Sequence, residues 1–457
     1  MRFELTSIPI VKRILKSRWL QWGMMAVTLP FFVLAIMSGL LGTPAGSRNF
    51  GIIFVWIVWW ALMILLMVPL AGRFWCSMCP IPAPGEWLQR RALVQPQPGG
   101  KLYSLGKKWP KQLNNIWPQN VAFLGVALFS AVILTSPLVS ALVLLGFVFV
   151  AIATSLVFER RTFCRYLCPV GGFIGLYSQV APVEVRVKNH AVCASHKGKT
   201  CYMGSDEGYG CPWLVFPGAV TKNTYCGMCT ECLKTCPLDN VALYMRPFGA
   251  DLMQTTGHRL DEAYKGLIML ACALIYSSVL LGPWAFLKET ARAVGSPGWF
   301  AYAAGFLALN LAIVPGLFYL CVRLGGFLSS RTQSGALPAP KKSFSDYAAV
   351  LVPLGLAAWM AFTLSFVLVN FSYAWPVLSD PFGWGWNLIG TANMKWTPYL
   401  PGLIPYLQAP ILIVGLMVAI NLALRTARQH TQSPWAALPV IGFCSAFVLV
   451  ILRLYMG

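Results

Sequence analysis

Nine apolar runs, near residues 21–42, 51–71, 117–136, 138–157, 265–287, 301–322, 347–370, 403–424 and 434–455, restrict what this chain can fold into more than any other feature. A hydrocarbon core about 30 Å thick is crossed by roughly 20 apolar residues of helix. In lipid, a helix satisfies its backbone hydrogen bonds within the segment itself. No run carries Lys, Arg, Asp or Glu well inside it, and only 11% of the 457 residues are charged, against about 25% in a soluble protein. The pattern predicts an all-α polytopic membrane protein of about nine transmembrane helices. The first run has the basic flank of a signal peptide (Lys12, Arg13, Lys16, Arg18). It is too long for an h-region and lacks a small-residue cleavage site, so it reads as a retained helix.

A net charge of +21 would fit nucleic acid, but its distribution does not. With the amino terminus in the cytoplasm and the carboxy terminus outside, nine spans put Arg48, Lys288, Arg292, Lys395 and Arg453 outside. The other thirty of the 35 Lys and Arg then lie inside. That asymmetry is the positive-inside rule, with attraction to anionic membrane lipid as a secondary effect. The expected location is a bacterial cytoplasmic (inner) membrane, with no nucleic-acid partner.

Three regions follow: a four-helix transmembrane region at 1–183, a polar insertion rich in Cys, Gly and Pro at 184–250, and a five-helix region at 251–457. Within the first, "PGEWLQRRAL" reads as a short amphipathic helix at the interface. In the third, "SSRTQSGALPAPKKS" reads as a flexible loop. The loop 371–402, with Trp384, Trp386 and Trp396, reads as an aromatic belt or as a docking surface for an outside partner.

Eleven of the fourteen cysteines fall on one side of the membrane under this topology. The others, Cys272, Cys321 and Cys444, are single residues in or at the end of apolar helices, where cysteine behaves as a small hydrophobe. The strongest motif is Cys226, Cys229, Cys232 and Cys236-Pro237. Three thiolates at this spacing wrap one cubane, and the cysteine before proline ligates the other cluster of a two-cluster ferredoxin. Structural zinc sites use well-separated Cys pairs, and disulfides do not persist in a reducing cytoplasm. By the same logic Cys211-Pro212 completes the 4Fe–4S cluster of Cys226, Cys229 and Cys232. The second cluster is left with Cys236, Cys193 and Cys201. The seven residues between Cys193 and Cys201 resemble the stretched motif of seven-iron ferredoxins, which hold a 3Fe–4S cluster. Alternatively, a 4Fe–4S cluster recruits His196, Asp206 or Glu207. His196 occupies the position of the motif's second cysteine, and reads equally well as an ordinary loop histidine. The insertion is thus a small α+β ferredoxin-like two-cluster domain on the cytoplasmic side.

A third group comprises "GRFWCSMCP" (Cys76, Cys79) and "RTFCRYLCP" (Cys164, Cys168), each directly after a span returning to the cytoplasm. Arg73, Arg161 and Arg165 flank them and would favour thiolates. The four could hold a further metal centre or act as redox dithiols.

On these residues, the chain resembles the membrane polyferredoxin family over roughly residues 50–245. That family includes quinol-dehydrogenase subunits of periplasmic nitrate and nitrous-oxide reduction systems, and a cytochrome-oxidase assembly iron–sulfur protein implicated in copper reduction. The resemblance implies electron transfer along or across the membrane, between quinol and redox partner subunits. The first motif departs from it, having two residues between Cys76 and Cys79 where the family usually has three. The resemblance does not extend to the carboxy-terminal five helices.

No nucleotide fingerprint or nucleophile–base pair marks a catalytic site. His190, His196, His258 and His430 all lie outside the apolar runs, which excludes haem b held between helices. The expectation is therefore an electron-transfer subunit of an oxidoreductase of quinol-dehydrogenase type, not a self-contained enzyme. It would relay electrons between the quinone pool or a cytoplasmic donor and a respiratory partner. The alternative is a metal-handling assembly factor that reduces copper through the membrane-face cysteines. A transporter would need polar groups at mid-membrane, and the runs offer little beyond Asn310 and Asn421.

Overall fold

The computed structural model describes residues 2–96, 102–254, 258–330, 339–430 and 432–456. The chain divides into two compact units that do not follow sequence order. One comprises Met1–Gly42, Leu66–Phe123 and Leu138–Asp251, and the other Thr43–Leu65, Leu124–Pro137 and Leu252–Gly457. The described residues contain eight helices long and apolar enough to cross a membrane: Arg18–Leu41, Phe50–Ala71, Pro137–Val157, Leu260–Leu281, Pro297–Ser330, Pro340–Ser379, Pro401–Gln429 and Pro434–Met456. This is a multi-pass helical membrane protein. Most of the loop expected at 329–343 lies outside the described residues.

The apolar run at 117–136 differs from the other eight. Its helix Trp117–Leu128 stops at Phe129, whose φ of −93° and ψ of 8° leave the helical region, and a short turn resumes at Ser130–Ile133. Thr135 then spends its hydroxyl on the Ala131 carbonyl (2.7 Å), and Pro137 starts the next helix. Hydroxyl side chains that bond their own backbone weaken helix continuation, which composition alone does not reveal.

In the first unit, the cysteine-rich insertion supplies nearly all of two strands of a three-stranded antiparallel sheet, ordered β1 (Phe3–Glu4), β3 (Val241–Met245), β2 (Val183–Val187). Strand side chains alternate between faces, and β2 uses both. Val185 and Val187 join Leu233 and Val241 in an apolar cluster against which Cys193, Cys226, Cys232 and Cys236 pack. On the opposite face, Glu184 and Arg186 enter a buried ion network. Arg246 bonds Glu184 (2.7 Å) and Asp251 (2.5 Å), and Arg186 lies 3.4 Å from Asp251. Asp251 also accepts from the Asn223 backbone N–H (2.7 Å). One strand therefore supports the cysteines with one face and anchors the loop before Cys226 with the other.

In the second unit, Gly415 lets two helices approach closely, since a Cβ there would lie 2.4 Å from that of Ala357. Small residues serve this purpose at intramembrane interfaces. Cys272, fully buried, donates its S–H to Asn310 (3.3 Å), and Cys444 is also buried. In the 371–402 loop, Trp384 and Trp386 are exposed and Trp384 stacks on Phe382, while Trp396 donates its indole N–H to the Val369 carbonyl (2.9 Å).

Candidate iron–sulfur centres

The two Cys-Pro motifs after the helices ending at Ala71 and Val157 adopt one backbone conformation. Cys79 (φ −66°, ψ 127°) and Cys168 (φ −61°, ψ 116°) are both extended, as residues before proline prefer to be. Each proline carries no N–H and leads into a helix, Ala83–Arg90 in one case and Pro169–Tyr177 in the other. The backbone N–H groups beyond the proline then point back at sulfur. Gly171 donates to the Cys168 sulfur (3.2 Å), and Ile81 does the same for Cys79. Cys76 and its neighbours lie near enough to Cys79, Cys164 and Cys168 to raise those three thiols electrostatically, so the four form one group.

The expectation that flanking arginines hold these cysteines as thiolates needs correction. Burial pushes the Cys79 and Cys164 thiols well up and that of Cys168 to about 11, outweighing the nearby guanidinium groups. The arginines act mainly as clamps. Arg161 donates to the Cys76 carbonyl (2.6 Å). Arg165 holds the carbonyls of Trp213 (2.5 Å) and Leu214. Arg160 holds those of Tyr202, Cys211 (2.7 Å) and Met203 (3.0 Å). The segment Ala83–Arg90 is a helix, but its polar residues turn inward: Glu86 and Gln89 are buried, and Gln89 donates to the Ser155 carbonyl (2.7 Å).

In the insertion, Cys211, Cys226, Cys229 and Cys232 line one largely apolar pocket, together with Trp213, Gly227 and Met228. The loop between the cysteines is wound tightly, with Met228 (φ 52°) and Thr230 (φ 57°) both left-handed, a conformation non-glycine residues rarely adopt. This winding sends the N–H groups of Met228 and Glu231 to the sulfurs of Cys226 and Cys229, and those of Trp213 and Val215 bond Cys211. Gly227 is dictated by Trp213, since a Cβ there would fall 1.8 Å from the indole nitrogen. Burial raises all four thiols, that of Cys229 to about 12, and neighbouring thiols raise Cys211, Cys229 and Cys232 further. Such a set exists as thiolates only with a cation among them, since a metal deprotonates its thiol ligands outright.

Cys236 lies near enough to raise the Cys193 and Cys201 thiols, so the three form a third group. Cys193 sits on the helix His190–Ser195, capped by the Asn189 side chain on the Ala191 N–H (2.8 Å). Cys201 sits on the turn Thr200–Met203, and the Cys236 sulfur accepts from the Asn240 N–H (3.4 Å). His196 is half-buried at the end of the Cys193 helix, while Asp206 and Glu207 are exposed in a turn.

Among the described residues, no three His, Cys, Asp or Glu side chains converge closely enough to hold a single metal ion. A zinc ion would need its sulfurs about 2.3 Å from one point, whereas the thiols of the pocket stand around its wall, as ligands to separate irons do. Four thiols, an apolar cavity and inward N–H groups fit a 4Fe–4S cluster, because such hydrogen bonds and the dry surroundings are what set cluster potentials. Trp213, Gly227, Glu86 and the clamping carbonyl contacts were not legible from motif spacing. The neighbouring "CPW" and "CGMC" strings carry the only local signal for the first two.

Comparison with known families gives one match, to the family described as a 4Fe-4S binding domain, over residues 52–111 and 139–187. The match encloses both Cys-Pro motifs with Cys76, Cys79, Cys164 and Cys168, and ends before the ferredoxin-like cysteines. No curated protein and no solved structure matches the chain. The match, over less than half of the chain, supports an iron–sulfur protein that binds a 4Fe–4S cluster, in a chain with multiple helices apolar and long enough to span a membrane.

Proposed function

We propose that this is a membrane-bound electron-transfer protein of the polyferredoxin type, relaying electrons between quinol or a cytoplasmic donor and a respiratory partner subunit. The observation that carries this reading is the set of Cys211, Cys226, Cys229 and Cys232 around one apolar pocket, with backbone N–H groups aimed at the sulfurs of Cys211, Cys226 and Cys229. Bound clusters would supply reversible one-electron chemistry, one centre losing the electron that the next gains. The chain itself supplies the thiolate ligands, excludes water and holds charges in place around them. Cys193, Cys201 and Cys236 would hold the second cluster, either 3Fe–4S or 4Fe–4S with His196 as fourth ligand. Cys76, Cys79, Cys164 and Cys168 would hold a third. Copper handling at these four is the weaker reading, because the family match that encloses them is a 4Fe–4S domain.

The basic residues favour a cytoplasmic face for all three groups in a bacterial inner membrane. The broken segment 117–133 would serve as a ninth passage in this reading, which leaves the carboxy terminus outside. Anaerobic purification of the full chain in detergent, with iron and sulfide analysis and electron paramagnetic resonance, tests the proposal. Reducible iron–sulfur signals are expected, with an oxidised-state signal if the second cluster is three-iron. A protein that binds copper and no iron would overturn it.

A further inference from the structure

Arg73, from the first Cys-Pro motif, is 3% exposed and has no carboxylate within ion-pair distance among the described residues. Its Nη1 donates to the Thr224 carbonyl, while Nε and Nη2 are buried without a hydrogen-bond partner. A buried cation left in this state is strongly disfavoured, so the site is incomplete without a negative group. Nearby Arg161 shows the contrast: it is equally buried but neutralised by Glu86.

The surroundings of Arg73 indicate where the missing charge belongs. Its guanidinium lies over the Trp213 ring at 4.3 Å, and the same ring walls the pocket of Cys211, Cys226, Cys229 and Cys232. On its other side, the point a Cβ of Gly171 would occupy is 3.4 Å from both Arg73 Nη2 and the Cys168 Cβ. A Cβ at Gly175 would lie 3.0 Å from Nη1. The two glycines leave room for the guanidinium between the Cys-Pro group and the ferredoxin-like pocket.

We propose that Arg73 is the shared counter-cation of two neighbouring iron–sulfur centres, fixed between Cys168 and the Trp213 wall so that its charge sets the reduction potential of both. This rests on the reading of those two cysteine groups as cluster sites. Reduction adds a negative charge to a centre, and a fixed positive charge beside it favours that step by Coulomb attraction, strongly in a medium of low dielectric.

The test compares wild type with Arg73→Gln, Arg73→Met and Arg73→Lys, purified anaerobically as full chains. Iron and sulfide are counted, and potentials are read by redox titration with paramagnetic resonance. The neutral variants are expected to titrate at more negative potential for two centres. At a fixed poise, the ratio of reduced to oxidised centres should drop on the order of tenfold, which is about 59 mV for one electron. Arg73→Lys is expected to restore both. Loss of iron in the neutral variants with retention and normal potentials in Arg73→Lys supports the same assignment. Unchanged potentials in the neutral variants overturn it, as does an Arg73→Lys protein that behaves like them or a shift confined to one centre. Wild-type protein with no centre at one of the two cysteine groups would instead sink the underlying reading.

Discussion

Arg161 and Glu86 meet as a buried two-point pair, Nε to Oε1 at 2.7 Å and Nη2 to Oε2 at 2.5 Å. The pair joins the helix after the first Cys-Pro motif to the start of the second motif, and Arg161 also holds the Cys76 carbonyl. Removing one partner leaves an uncompensated buried charge, which typically costs about 3–5 kcal/mol. Glu86→Ala is therefore expected to lower the unfolding midpoint in detergent sharply. A change of less than about 1 kcal/mol, the range of a surface pair, would show that the two motifs are held together by other contacts.

The same pair fixes an acid sensitivity. Burial pushes the Glu86 carboxyl up, but Arg161 and Arg90 outweigh it and hold it below its ordinary value of 4.5. A carboxylate with a depressed folded value stabilises the protein above its unfolded value and loses that contribution as pH falls through the folded one. Wild type should lose stability progressively below about pH 4.5, and Glu86→Gln should lose less over the same window. Unfolding midpoints of both proteins across that range decide the matter.

Gly227→Ala should strip the ferredoxin-like pocket of its cluster, because the new methyl collides with the Trp213 indole. Iron content is expected to fall by about four per chain, one cubane's worth. Trp213→Leu in the same protein should restore part of it. If Gly227→Ala keeps its full iron, the indole does not pack as described.

Serine replacements separate ligand from packing cysteines. Cys229→Ser and Cys232→Ser should each lose the pocket's cluster signal. Cys272→Ser should keep all iron, since that thiol's partner is Asn310 inside the second unit. Elemental analysis alongside paramagnetic resonance distinguishes the two classes.

Much of this molecule could be read in advance where one residue type carries the physics alone. Apolar length marked eight helices correctly, because lipid demands nothing beyond hydrophobicity and enough residues. It did not reveal the interruption of 117–136, where a bend at Phe129 and the hydroxyl of Thr135 break a segment whose composition is still apolar. Cysteine spacing pointed to the groups that the fold assembles, since short loops fix which thiols can meet. Spacing could not show that the arginines grip carbonyls, that Trp213 forces Gly227, or that burial dominates the thiols. Each of those depends on contacts between segments far apart in the chain.

The strand Phe3–Glu4 closes its sheet only by pairing with Tyr244 and Met245. Lys12 and Arg18 likewise reach Asp239 (2.5 Å) and Glu231 (3.2 Å), and Thr230 donates to the Leu15 carbonyl (2.9 Å). During synthesis, the opening segment must therefore wait, unpartnered, while four apolar runs and both Cys-Pro motifs emerge from the ribosome. At ≈ 5–20 residues per second, that delay is on the order of ten seconds or more. For that interval the strand Phe3–Glu4 is an unpaired edge, open to pairing with another chain. A bulky tag fused ahead of Phe3 would obstruct the last step of that closure, so cluster loading is best followed with the tag at the opposite end.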